Sequence, residues 1–120
     1  VTEELFPELA GLDFGAIAAY MKRRRWRWAR YGRPPTATEI EAEAQRLVRE
    51  TSGQDWRYPT WREMRQGAPR YKSAVTGGLE VYLYEDGSSY ACFRRPGTSK
   101  PLFEVRRAPE AGVTARKEAS

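Results

Sequence analysis

The sequence predicts an α+β fold: two main helices plus a short helix packed on one face of a three- to four-stranded, mainly antiparallel sheet. Three observations carry this. Helical start signals and apolar stripes fill the first half of the chain. Short β-branched and aromatic runs fill the second half. Glycine-rich turns separate those runs closely enough to make hairpins rather than crossovers. The length of 120 residues fits one domain that buries a core without disulfides.

Residues 1–12 carry Leu5, Phe6, Leu9 and Leu12 around Pro7 and read as an apolar N-terminal arm, with one helical turn after the proline. The domain proper spans residues 13–108. Asp13 suits a helix N-cap, and Phe14, Ile17, Ala18 and Met21 follow at one-face spacing. Pro34 and Pro35 block continuation of that helix. Thr36 and Glu39 have capping-box spacing, Ile40, Ala44, Leu47 and Val48 form a second stripe, and Gly53 stops it. Thr60 and Glu63 repeat the box before a short helix ending at Gly67.

Strands are expected over 70–76, 79–85, 88–94 and 101–107. Gly77-Gly78 and Asp86-Gly87 are the turn signals. With Asp86-Gly87 as a two-residue loop, Leu83 faces Tyr90, Val81 faces Cys92, and Leu79 faces Arg94. That register puts Leu79, Val81, Leu83, Tyr90 and Cys92 on the core face, and Glu80, Tyr82, Tyr84, Ala91 and Phe93 on the outer face. Cys92 is then a buried, quiet thiol. Residues 109–120 are small and polar and read as a disordered tail.

Composition narrows the chemistry. With no histidine, the commonest general base and zinc ligand are missing. One cysteine forms no internal disulfide and fits a reducing compartment. No H-E-x-x-H, C-x-x-C, G-x-S-x-G or glycine-rich phosphate loop is present, so neither an enzyme nor a cofactor or metal is expected. No apolar run approaches the ~20 residues that span a bilayer, and the N-terminal residues predict no secretory signal.

The charge is +5, and its placement is uneven. Of the twelve residues 22–33, seven are basic, with Trp26, Trp28 and Tyr31 interleaved. Arginine neutralises phosphate and aromatic rings stack on bases, so Arg23, Arg24, Arg25, Arg27, Arg30 and Arg33 are candidate ligand-binding residues. The two tryptophans are expected to anchor that loop in the core, because large aromatics favour burial. Tyr82, Tyr84 and Phe93 form a second candidate surface, suited to unpaired bases or a protein partner, unless Trp56, Tyr58 and Trp61 cover it. Nucleic acid or a nucleoprotein is the expected partner, with a host protein as the alternative.

Trp26-x-Trp28, Pro35-Thr36-x-x-Glu39-Ile40, Ala44-x-x-Leu47-Val48 and Thr76-Gly77-Gly78-Leu79 resemble small bacteriophage and prophage accessory proteins that combine W-x-W, P-T-x-x-E-[IL] and [ST]-G-G-[LF] motifs. The resemblance spans residues 20–94. Val75 stands where serine is usual, and residues 53–70 are extra. It implies a phage or mobile-element accessory protein of the host bacterial cytoplasm, acting without catalysis on host machinery, including defence systems such as CRISPR. A protein-directed anti-defence inhibitor is the alternative reading, and an enzyme that works without histidine ranks third.

Overall fold

A computed structural model of the chain describes residues 6–95 and 97–109. The fold is α+β. A 3-10 turn, Pro7–Leu9, leads into α1 (Phe14–Arg23), α2 (Ala37–Ser52) and a short α3 (Trp61–Arg65). Four strands follow: β1 (Tyr71–Thr76), β2 (Leu79–Tyr84), β3 (Ser89–Phe93) and β4 (Phe103–Arg107). They form one sheet in sequence order, each antiparallel to its neighbour. Residues 110–120, and with them most of the expected tail, lie outside the described residues, as does Leu5 of the arm.

The caps form where the sequence places them. Asp13 Oδ1 accepts the Ala16 N–H at 2.9 Å. Thr36–Glu39 and Thr60–Glu63 both close reciprocal capping boxes. Each satisfies backbone donors that the first helical turn leaves free. The α2 stripe of Ile40, Ala44, Leu47 and Val48 is buried. Thr51 extends it, its hydroxyl donating to the Leu47 carbonyl at 2.7 Å. This stripe lies across β1 and β2, and α1 packs on α2. The 3-10 turn covers β3 and β4, and with Leu9 fully buried and Leu12 in the core, residues 9–12 belong to the domain rather than to an arm. The short α3 is the exception to the one-sided packing. None of its residues is buried, and Glu63 shares a cleft with Tyr82 and Tyr84 on the opposite sheet face.

The β2–β3 register differs from the sequence expectation by one residue. Tyr82 pairs with Tyr90, Val81 with Ala91, and Leu79 with Phe93. The loop has three residues, not two: the Tyr84 N–H donates to the Ser88 carbonyl, and the Gly87 N–H returns to the Tyr84 carbonyl, both at 3.0 Å. Gly87 takes a left-handed φ of 94°, and Asp86 Oδ1 accepts the Ser88 N–H at 2.8 Å. Asp86-Gly87 serves equally well as the end of a three-residue loop with glycine in the left-handed position. Because side chains alternate, this one-residue change exchanges the two faces of β3. Ala91 and Phe93 go into the core; Tyr90 and Cys92 go to the outer face.

Cys92 is nevertheless fully buried, beneath Arg94, whose Nη2 donates to its sulfur at 3.4 Å. Arg94 in turn pairs with Glu80 at 2.9 Å. Burial pushes the thiol pKa up, so the reactive thiolate is scarce at neutral pH. A thiol reagent is expected to label the native protein slowly and the denatured protein fast. Rapid native labelling would mean that the Arg94 cover opens freely.

Candidate nucleic-acid interface

The basic segment begins where α1 ends. The Arg25 N–H donates to the Lys22 carbonyl at 3.1 Å and the Trp26 N–H to the Met21 carbonyl at 2.9 Å. This is the paired-bond helix stop that turns the chain through one left-handed residue. That residue is usually glycine, sometimes asparagine. Here it is Arg25, at φ 55°, the one described non-glycine residue with positive φ. A side chain there costs about 1–2 kcal/mol. Arg25→Gly is therefore expected to raise stability by about 1 kcal/mol in a denaturant melt. A loss of stability would show that the guanidinium makes a stabilising contact in the free protein.

The turn directs the two tryptophans inward. Trp26 packs on Phe93, ring centroids 5.0 Å apart. Trp28 is buried, and its Nε1–H donates to the Gly77 carbonyl at 3.0 Å. The loop is thus fixed to the β1–β2 turn, as the burial argument expects. Tyr31 stacks on Trp28 at 6.0 Å.

The six candidate arginines divide into two groups. Arg30 pairs at 3.1 Å with Glu43, a buried carboxylate that Arg46 also holds, at 2.6 Å. These cations, Arg46 foremost, keep the Glu43 pKa low. Arg33 grips Glu39 with two bonds of 3.0 and 2.7 Å. The hydrogen bond from Arg33, then that from the Thr36 backbone, hold Glu39 at about 2. Arg30 and Arg33 therefore tether the loop to α2. Arg23, Arg24, Arg25 and Arg27 are exposed, and among the described residues none pairs with a carboxylate. Arg23 and Arg24 lie 6.0 and 5.4 Å from the Tyr20 ring, and exposed Lys22 adjoins them. Four neighbouring guanidinium groups that meet no carboxylate among the described residues form a surface that attracts anions.

The outer sheet face is separate from this patch. Tyr82 and Tyr84 lie there half-buried, as expected, with Tyr71 and Tyr90 at 6.5 and 6.0 Å from Tyr82. Phe93 does not join them. It is fully buried among Tyr20, Trp26 and Phe103 on the helix-covered side, which removes it from the candidate ligand surface. Trp56, Tyr58 and Trp61 do not cover the tyrosines either: Trp56 sits under the Lys72 ammonium at 4.4 Å, and Tyr58 and Trp61 are 68% and 76% exposed. Pro59, Ala68 and Pro69 line the cleft beside Tyr84 instead. Tyr58, Trp61 and Met64, in and just before α3, are each exposed, which sequence reasoning missed because a helix of 5 residues is too short to show a stripe.

Comparison with protein-family models, curated proteins and solved structures yields no match. The reading of function therefore rests on the geometry and on the sequence motifs. Among the described residues no group of three or more carboxylates or thiols is placed to hold a metal ion, and no helix is long and apolar enough to cross a membrane.

Proposed function

We propose that the protein binds nucleic acid, free or within a nucleoprotein, through Arg23, Arg24, Arg25 and Arg27, and that it acts by occupancy rather than by catalysis. The observation that supports this best is Arg25. An arginine holds the strained position that glycine would fill without cost, and it stands among three others that meet no carboxylate among the described residues. Backbone strain kept at a polar surface residue is motivated by what the side chain does there. Trp26 and Trp28 fix the loop from beneath, so the charges are presented with little loss of entropy on binding. The resemblance to phage and prophage accessory proteins supplies the setting: a mobile-element factor acting on host machinery. The test is binding of fluorescent duplex and single-stranded oligonucleotides by wild type and by Arg24→Glu/Arg25→Glu/Arg27→Glu. The triple variant is expected to bind at least tenfold more weakly on every sequence, with an unchanged melting temperature. Equal binding by a folded triple variant contradicts the proposal.

One observation favours the second reading, a protein-directed inhibitor of host defence. Tyr58, Trp61 and Met64 stand exposed beside Arg57, Arg62 and Arg65, and aromatic residues, methionine and arginine are the types enriched where proteins dock. Under this reading Trp61→Ala abolishes a nuclease-resistant complex that the arginine variant leaves intact.

A further inference from the structure

The sheet has two open edges, β1 and β4. β1 is partly closed by the chain itself: Arg57 exchanges two backbone bonds with Tyr71, and Gln54 Nε2 donates to the Ser73 carbonyl. β4 is different. On β3, Ser88 and Arg94 mark the residues that bond toward β2, through Tyr84 N–H to the Ser88 carbonyl and Arg94 N–H to the Gly78 carbonyl. The alternate residues, Phe93 among them, bond toward β4. The register of β3 with β4 then gives Phe103, Val105 and Arg107 the inward bonds. The backbone N–H and C=O groups of Glu104 and Arg106 point outward, and among the described residues no backbone group meets them.

We propose that this edge pairs with the same edge of a second copy, antiparallel about a two-fold axis through Val105, to make a continuous sheet across the dimer. The argument is one of register. Within β4 the residues with outward backbone groups are Glu104 and Arg106, so they must occupy the hydrogen-bonded positions of any such pair. Three two-fold registers meet that condition. One sets Glu104 against Glu104, one sets Arg106 against Arg106, and the third sets Glu104 against Arg106 twice, with Val105 opposite Val105. Like charges directly opposite oppose pairing and unlike charges favour it, so the third register is selected. Both side chains are already held on the outer face: Glu104 accepts the Tyr90 hydroxyl at 2.7 Å, and the Arg106 guanidinium lies 4.4 Å from the Tyr90 ring centroid. Charge on an edge strand ordinarily discourages association. Here the alternation of sign makes the edge self-complementary in a single register. The contact is one five-residue strand against its copy, so the interface is small and the dimer belongs to the weak class.

Sedimentation equilibrium of the full chain over a micromolar-to-millimolar series tests this. The mass is expected to rise from 13.8 kDa toward twice that value. Glu104→Arg alone, or Arg106→Glu alone, places like charges across both pairs and is expected to weaken association at least tenfold. An equimolar mixture of the two variants restores opposite charges across every pair, and is expected to associate as heterodimers. Recovery in the mixture also shows that both variants are folded. A wild type that stays monomeric throughout overturns the proposal. So do single variants that associate as tightly as wild type, or a mixture that stays as weak as its components.

Discussion

Phe93→Ala is expected to destabilise the fold by about 3–5 kcal/mol, the usual range for deleting a buried phenyl ring. The side chain is fully buried. Its ring meets Trp26 at 5.0 Å, Tyr20 edge-on at 6.2 Å and Phe103 at 6.4 Å. Removing it empties the point where β3, β4, α1 and the tryptophan loop converge. The urea midpoint measures this directly. A change below about 0.5 kcal/mol, typical of surface substitutions, would restore Phe93 to the outer face and with it the two-residue hairpin register. The same variant reports on the interface, since Trp26 rests on Phe93 and the arginine loop rests on Trp26.

Gly77→Ala is expected to cost about 3–6 kcal/mol, from three contributions. Gly77 has φ 54°, where any side chain is strained by ~1–2 kcal/mol. An added Cβ would stand 2.1 Å from Trp28 Nε1 and 2.6 Å from the next ring atom, so the indole must move, an overpacking cost of ~1–3 kcal/mol. Moving it breaks the 3.0 Å bond from Nε1 to the Gly77 carbonyl, worth ~1 kcal/mol. A double-mutant cycle with Trp28→Ala separates these contributions. The pair should cost less than the sum of the singles, because the clash disappears with the ring while the strain remains. Strict additivity would mean that the turn and the tryptophan loop are independent.

Most of the fold is legible in the sequence because it is written locally. The Thr36–Glu39 and Thr60–Glu63 boxes, the α2 stripe and the Gly77-Gly78 turn each depend on residues a few positions apart, and each forms as read. The β2–β3 register escaped because Asp86-Gly87 fits loops of two and of three residues. Which one forms is decided by what the core accepts, and the core accepts Phe93 rather than Tyr90. On the outer face the Tyr90 hydroxyl finds Glu104, a partner that no local pattern announces. The arginine patch was legible as density alone. That Arg30 and Arg33 are bound to Glu43 and Glu39 depends on how α2 returns past the loop. The strain at Arg25 depends on where α1 stops, and boundaries are the least legible feature of a helix.

The proposed contact of Arg23, Arg24, Arg25 and Arg27 with phosphates is tested most directly by the salt dependence of binding. Each phosphate neutralised contributes a slope of about −0.9 for duplex, or about −0.7 for single strands, in log K against log salt. With three to four contacts from Arg23, Arg24, Arg25 and Arg27, a wild-type slope of about −2 to −4 is expected. Arg24→Glu/Arg25→Glu/Arg27→Glu should flatten it by about 2 or more while the melting temperature stays unchanged. A wild-type slope near zero, or a slope that the triple variant leaves as steep as before, would contradict the account.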